Sequence, residues 1–236
     1  MRFKKVTGDN PSQQIVAQVR QMIASGTLAK GDRLPTERDF ADALGISRNT
    51  IRKAITSLKQ VGLVDVRKGP SGGAFISQDG GTAIRSVIVD LFHLGSISSE
   101  NLTEARVILL PTIVRLACLR CTSDDIRHLE ENVRRAEEAI AIGDLEGRQR
   151  LNLEFYHLLG NMAKNPVIAL INDAVSEMIL QFVRSAGLVP PKFVMPIRYR
   201  LIECFKSKDA DAATMAMEAH LIQLEKLYRK LAAQRR

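Results

Sequence analysis

Residues 34–62 read LPTERDFADALGISRNTIRKAITSLKQVG and predict two helices joined by a tight turn. Thr36 is an N-cap candidate that follows a proline, and Gly45 is a typical stop for the first helix. Ser47 comes after a single linking residue and can cap the second helix, whose apolar residues recur at helical spacing. Two helices with so short a link are typical of a helix-turn-helix.

The flanking sequence adds a third helix and a wing. Upstream, PSQQIVAQVRQMIASGTL (11–28) also has apolar residues at helical spacing. Downstream, LVDV (63–66) and AFIS (74–77) are β-like runs, joined by the turn-forming segment RKGPSGG (67–73). The sequence therefore predicts a winged helix-turn-helix domain with a small two-stranded wing over residues 1–77.

The excess positive charge is concentrated in this N-terminal third. Residues 1–77 contain 13 of the 34 lysines and arginines but only 6 of the 26 acidic residues, which gives them +7 of the total net charge of +8. Charge alone leaves open a solvated basic surface without a partner. Together with the helix order and the wing, it favours binding of a polyanion, double-stranded DNA.

The start of the second helix of the helix-turn-helix is where base contacts are expected. Arginine can bind guanine and asparagine can bind adenine through paired hydrogen bonds, while hydroxyl groups suit phosphate oxygens. The candidate DNA-contact residues are Ser47, Arg48, Asn49, Thr50 and Arg52. A simple N-cap role for Ser47 and a solvated Arg52 remain open as alternatives.

The C-terminal part is predicted to be entirely helical. The polar segment SQDGGT (77–82) is a break, and we predict a linker at 78–83 followed by an all-α bundle over 84–236. Helices are predicted near residues 83–94, 100–120, 122–142, 144–163, 165–187, 190–207 and 209–233. The fold class is thus mainly α, with an N-terminal winged helix and a C-terminal helical bundle.

Several classes of protein are disfavoured. We find no nucleophile–base pair and no phosphate-binding loop, so an enzyme is not expected. The chain has no long uncharged apolar run and no signal-peptide pattern, so we expect a cytoplasmic protein without a membrane partner. Cys118 and Cys121 have C-x-x-C spacing, but no second pair follows, which favours two core residues over a metal site.

The segment GDRLPTERDFADALGISRNTIRKAITSLKQVGLVDVRKGPSGGAFIS (31–77) resembles the winged-helix domain of GntR-type bacterial transcription regulators. The glycine-rich wing resembles that of the FadR subgroup. The resemblance implies that Arg38 and the start of the second helix contact the operator, and that Lys68 and Gly69 at the wing tip reach the minor groove.

Three further stretches resemble the helical FCD effector domain of that subgroup, namely LTEARVILLPTIVRLACLRCTSDDI (102–126), LNLEFYHLLGNMAKNPVI (151–168) and RYRLIECFKSKDADAATMAMEAHL (198–221). Many such domains hold a divalent metal with one Asp or Asn and three His. The matching positions here are Asn152, Tyr156, Arg198 and His220. Because arginine does not coordinate and tyrosine is a poor ligand, we expect no metal and no cofactor. A shifted register with His157 as a ligand remains the alternative.

The replacement of histidine by Arg198 suggests that a guanidinium takes the role of the metal. Its fixed charge and paired donors suit a carboxylate, so a small acidic effector is expected, either an organic acid or an acyl-coenzyme A. Asn152, Tyr156 and His220 could add hydrogen bonds, and Arg106 matches a position that lines the cavity in the FCD family. Arg200 is an equal candidate if Arg198 is a surface residue.

We therefore predict a cytoplasmic, ligand-responsive transcription regulator, most simply a repressor, that binds a palindromic operator as a homodimer. The alternatives are a metal-containing FCD regulator that senses a carboxylate through a His-ligated ion, and a less specific architectural DNA binder. A helical enzyme with a DNA-binding domain is a third possibility, but it would need a reactive group that the sequence does not display.

Overall fold

A computed structural model describes most of the chain, and its described residues are 3–6, 8–69, 71–78, 82–185, 187, 191 and 194–233. The chain forms two compact units, Met1–Val87 and Ile88–Arg236. Of the predicted linker at 78–83, residues 79–81 lie outside the described part, and a helix already begins at Thr82. The predicted domain boundaries, with the first domain ending at residue 77 and the second beginning at residue 84, therefore stay predictions.

The first unit contains a helix-turn-helix followed by a two-stranded wing, as predicted. Its elements are α1 (Pro11–Ala24), α2 (Glu37–Leu44), α3 (Arg48–Gln60), β1 (Val64–Arg67) and β2 (Gly73–Ile76). The Thr36 hydroxyl caps α2 by accepting from the Asp39 N–H, and Gly45 ends that helix in a left-handed conformation, with φ of 68°. Caps and stops thus lie where the sequence places them.

The wing has the two strands that were predicted, but their bounds differ by one residue and a further bridge pairs with the second strand. The strands start at Val64 and Gly73, one residue later and one residue earlier than predicted. In addition, Arg33 forms an antiparallel bridge with Phe75, and the Leu34 N–H donates to the Ala74 carbonyl at 2.8 Å. This extra pairing joins the segment before α2 to the wing, a long-range contact that a local β-pattern does not reveal.

One apolar core holds the first unit together. Large side chains from all three helices and from the connecting segments are almost fully buried in it, among them Ile15, Leu28, Leu34, Phe40, Ile51 and Leu58. Because α3 contributes its apolar face to this core, the opposite face of α3 is left exposed.

The second unit is a bundle of helices. Helix α4 (Thr82–His93) crosses the boundary between the two units at Val87. The helices within the second unit are α5 (Ser99–Arg120), α6 (Ser123–Ala141), α7 (Leu145–Met162), α8 (Pro166–Ser185), α9 (Val194–Ser207) and α10 (Ala210–Ala233). All seven predicted helices are present. The predicted start of α9 at residue 190 lies outside the described residues, and the described helix begins at Val194.

The bundle core contains the three cysteines. Cys118, Cys121 and Cys204 are buried and form no disulfide, so the C-x-x-C pair belongs to the core, as expected. Burial raises the pKa of the Cys118 thiol to about 11, which keeps it protonated at neutral pH. The Lys208 ammonium donates to the carbonyls of Cys121 and Cys118 and so stabilises the C-terminal end of α5.

One helix of the described part, α8, is long and apolar enough to cross a membrane by length and composition alone. In this structure it packs against α5 and α7. Residues such as Met178 and Ile179 are buried in a cluster with Leu102 of α5. About 39% of its apolar window is buried, so one part of α8 belongs to the core of the bundle.

Candidate functional site

The first residues of α3 form an exposed polar surface. Arg48 and Asn49 are exposed and Thr50 is half-buried. The Ser47 hydroxyl accepts from the Thr50 N–H at 3.1 Å, and the two hydroxyl oxygens lie 2.9 Å apart. Ser47 therefore is an N-cap, and its hydroxyl is engaged with the helix. Arg48 and Asn49 retain side chains that point away from the core of this unit.

Arg52 is joined to the preceding helix. Its Nη2 donates to Glu37 Oε2 at 2.8 Å, and its Nε lies 3.1 Å from the same oxygen. The hydrogen bonds to Glu37 raise the pKa of Arg52. The Arg52 side chain is 65% exposed, so Arg52 is a solvated residue that also forms an ion pair with a carboxylate of α2.

Two more predicted contact regions flank α3. Arg38, at the start of α2, has an exposed side chain whose Nε lies 3.5 Å from Asp39 Oδ1. Lys68 and Gly69 are exposed in the wing, and Gly69 has φ of 106°, which favours glycine. The structure therefore leaves these three residues accessible on the same unit as α3.

Two arginines near the wing, Arg33 and Arg67, were not among the DNA-contact residues predicted from the sequence. The guanidinium carbon of Arg67 lies 4.4 Å from the centre of the Phe75 ring, and that of Arg33 lies 5.8 Å from the same centre. Arg33 also donates to the Gly72 carbonyl. The wing thus carries two ordered cations in addition to Lys68. The high local positive charge was the sequence signal that could have indicated these two arginines. Only the strand pairing shows that both contact the same aromatic ring.

In the second unit, Arg198 lies in the interior. It is 3% exposed, its Nη2 donates to Asn152 Oδ1 at 2.7 Å, and its guanidinium carbon lies 4.6 Å from the Phe155 ring centre. Burial lowers the pKa of Arg198 to about 10, so the group stays charged at neutral pH. Arg200 is exposed. The structure thus places Arg198 inside the bundle and Arg200 on its surface.

A second buried arginine comes from α5. Arg106 is 7% exposed, and its guanidinium carbon lies 4.5 Å from the centre of the Tyr156 ring. Within the described part of the chain, the Nε atoms of Arg106 and Arg198 are both buried and lack a hydrogen-bond acceptor. Buried donors of this kind normally have partners, so two such atoms in one region call for an explanation.

His220 belongs to the same cluster. It is 4% exposed, and burial, followed by the charges of Arg106 and Arg198, lowers its pKa to about 3. The imidazole is therefore neutral at neutral pH. All five predicted effector residues, Arg106, Asn152, Tyr156, Arg198 and His220, are thus linked to one another by a hydrogen bond, by cation–π contacts or by charge.

Two cavities adjoin Asn152. The larger has a volume of about 310 Å³ and is lined by Arg148, Asn152 and Arg198 together with apolar residues of α6 and α9. The smaller, about 20 Å³, is lined by Arg106, Tyr156 and Ser176 among others. No Asp or Glu is among the described residues that line these two cavities. These two cavities therefore have an excess of positive charge, whereas Glu225 lines a third, smaller cavity at Arg106.

Arg148 and Ser176 are cavity residues that the sequence did not indicate. Arg148 lies four residues before Asn152 on α7, so both occupy one face of that helix. This spacing was a usable signal for Arg148. Ser176 lies on α8, and no local pattern points to it.

A metal does not fit this donor set. The Asn152 Oδ1 accepts a hydrogen bond from Arg198, and a guanidinium supplies no lone pair for a metal. His157 Nε2 lies 3.8 Å from Asp173 Oδ1 on α8. Among the described residues, no group of three His, Cys, Asp or Glu side chains could hold a metal ion. We therefore derive no role for a metal here.

Comparison with known proteins defines the class. Residues 11–76 match the family described as bacterial regulatory proteins, gntR family, and residues 101–223 match the FCD domain. The second match alone covers more than half of the chain. The protein belongs to the GntR family of bacterial transcription regulators and carries an FCD domain. It is a DNA-binding regulator and not an enzyme.

Individual relatives agree with this assignment. The chain is 32% identical over 162 residues to the uncharacterized HTH-type transcriptional regulator Rv0494 of Mycobacterium tuberculosis, a match over 67% of this chain and 64% of that protein. It is 24% identical over 221 residues to the HTH-type transcriptional repressor NanR of Cronobacter sakazakii, covering 89% of this chain and 82% of NanR. Streptococcus agalactiae GntR has a similar structure, with a TM-score of 0.70, 25% identity and coverage of 91% and 99%.

Proposed function

We propose that this regulator represses transcription by binding a palindromic operator as a homodimer, and that a small acidic effector changes its affinity for DNA. The name repressor comes from the similarity to NanR. The proposal has three parts, which rest on the surface of α3, on an apolar face of the bundle and on the buried arginine cluster.

The exposed start of α3 supports sequence-specific binding to DNA. Arg48 and Asn49 present side chains that can form paired hydrogen bonds with guanine and adenine. Arg38, Lys68 and the helix N-terminus suit phosphate oxygens. Positioning contacts and base contacts are thus available on one unit, as a regulator with a defined operator requires.

An exposed apolar strip on α5 and α10 supports the homodimer. Ile108 of α5 is 64% exposed, and Met215 and Ile222 of α10 are 69% and 45% exposed. The two helices pack against each other and are joined by an ion pair between Arg115 and Asp211. A second copy that covers this strip would remove it from water, and a dimer would supply one α3 helix for each half of a two-fold symmetric operator.

The buried arginine cluster supports an acidic effector, and it is the observation that carries the proposal. Arg106 and Arg198 are buried in the bundle, and no carboxylate is among the described residues that line the two cavities beside Asn152. Glu225 lines a separate, smaller cavity at Arg106. Burying a charge without a counter-ion is costly, so a bound anion would stabilise this arrangement. The effector can alter DNA affinity only by the difference in its affinity for the two states of the regulator.

A thermal-shift screen of organic acids and coenzyme A esters tests this function. An acid that binds the folded bundle raises its melting temperature by mass action, and the same acid should change operator affinity in a gel-shift titration. Absence of any stabilising anion across such a screen would contradict the proposal.

A further inference from the structure

The larger cavity, of about 310 Å³, lies between α6, α7 and α9. Arg148 and Asn152 line it from α7 and Arg198 lines it from α9, so its polar groups come from two helices. The remaining lining residues include Ala136, Ile140, Val194 and Met195, all apolar. The cavity therefore combines a strongly basic region with an apolar wall.

The two arginines of this cavity repel each other. Both guanidinium groups line the same cavity. Burial lowers the pKa of Arg198 most, Tyr156 acts in the opposite direction, and the positive charge of Arg148 lowers that pKa further. Arg198 is 3% exposed, so bulk water solvates it poorly, and its Nε has no acceptor among the residues described. A carboxylate bound between the two would accept hydrogen bonds and offset the repulsion.

The apolar wall restricts the rest of the ligand. A polyhydroxylated acid would bury several hydroxyl groups against Ile140, Val194 and Met195, where they would lack partners. An aliphatic chain or an aromatic ring would instead replace water from this wall. The volume also lies near the lower limit of roughly 300–1,000 Å³ for small-molecule sites, which disfavours an intact coenzyme A ester.

We infer that the effector is a small carboxylate with an aliphatic or aromatic body, held in this cavity with its carboxylate between Arg148 and Arg198. This inference rests on the proposed function and adds the chemical class of the ligand and a second anion-binding residue, Arg148.

Calorimetric titration of the whole chain with defined probes tests the class of ligand. Octanoate and benzoate represent apolar carboxylates, glucuronate represents a hydroxylated acid, octanamide lacks the charge, and octanoyl-coenzyme A is the large ester. We expect octanoate or benzoate to bind at least about ten-fold more tightly than the other three probes, a difference of about 1.4 kcal/mol.

The variant Arg148→Met tests whether Arg148 binds the carboxylate. It should weaken binding of the preferred probe at least about ten-fold through loss of a charge-assisted hydrogen bond. Arg150→Met is the matched control, because Arg150 is exposed on the same helix and does not line the cavity. A second variant, Ile140→Ser, should weaken the apolar probes and leave glucuronate unaffected. Ile140 is 40% exposed, so this change should not unfold the bundle.

The outcomes separate this inference from the proposed function. Preference for glucuronate, or unchanged affinity in Arg148→Met, would overturn the inference. If the acid that binds the wild type no longer bound Arg198→Met, the proposed function would stand even though the inference had failed. Failure of every probe to bind the wild-type protein would overturn the inference and would count against the proposed function as well.

Discussion

The Arg52 guanidinium on α3 is paired with the Glu37 carboxylate on α2, with Nη2 of Arg52 donating to Oε2 at 2.8 Å. Glu37 occupies Nε and one N–H of Nη2, so Nη1 and the second N–H of Nη2 still point away from it. Those remaining donors form the end of the guanidinium fork that can bind a guanine. The ion pair thus fixes the direction of Arg52, which we propose to be a base-contacting arginine, and leaves the outer edge of its guanidinium available.

Removing this pairing should reduce specificity without unfolding the domain. We expect Glu37→Gln to lower the ratio of operator to non-specific affinity, because Arg52 loses its fixed direction. Non-specific affinity should stay equal or rise, since a negative charge is removed near the DNA-contact surface. Competition with unrelated DNA at fixed salt measures the ratio. Because exposed ion pairs contribute little stability, the melting temperature should be unchanged. An unaltered ratio would show that Glu37 does not position Arg52 for reading.

Removing the proposed base-contacting side chains should weaken specific binding. Arg48→Ala and Arg52→Ala should each weaken binding to an operator selected from random DNA by about ten- to a hundred-fold, the usual effect of one lost base contact. Arg20→Ala on α1 is a control, because Arg20 is exposed but lies outside the proposed contact surface. Gel-shift titration reports affinity, and light scattering checks that the oligomeric state is the same. Operator binding at wild-type strength in both variants would contradict the proposed docking of α3.

The sequence predicted the helix-turn-helix well because its signals are local. The caps at Thr36 and Ser47 and the stop at Gly45 each depend on neighbouring residues only. The ion pair between Glu37 and Arg52 joins residues 15 apart and depends on the angle between two helices. Hydrophobic periodicity does not determine that angle, so the pairing had to come from the structure.

The effector cluster was predicted through a family pattern and not through local chemistry. Counting along that pattern pointed to Asn152 and Arg198. In the structure the Nη2 atom of Arg198 lies 2.7 Å from the Oδ1 atom of Asn152. Arg148 was missed although its spacing from Asn152 puts both on one helix face. The cavity itself is formed by α6, α7 and α9 together, and its volume follows from packing that no single helix sequence encodes.

The purified protein should contain no stoichiometric zinc, nickel or manganese. The FCD resemblance implies histidines at the positions of Arg198 and Tyr156 in metal-binding domains, and the Asn152 oxygen here accepts a hydrogen bond from Arg198. Elemental analysis should therefore find well below one transition metal per chain, and a chelator should leave the melting temperature unchanged. About one metal ion per chain would contradict this arrangement and would favour a site that includes His157.

His220 should make the bundle less stable in mild acid. Its pKa is lowered from 6.5 to about 3 in the folded chain, so the unfolded chain binds the proton more tightly. Stability is therefore full above pH 6.5 and falls as the pH decreases towards 3. Between pH 7 and pH 5 the wild type should lose about 2 kcal/mol more than His220→Asn. Urea unfolding at several pH values measures this difference, and parallel curves for the two proteins would refute the assignment.

Calorimetric titration of Arg198→Met with the effector found in the screen tests the central claim most directly. Loss of a buried charge-assisted contact should cost the acid about 2–4 kcal/mol, a decrease in affinity of roughly thirty- to a thousand-fold. Arg198→Lys should restore binding only in part because it lacks the planar fork, and Arg200→Met should bind like wild type. Operator affinity without effector should be intact in all three variants. Unchanged effector affinity in Arg198→Met would contradict the account and assign the anion to Arg106.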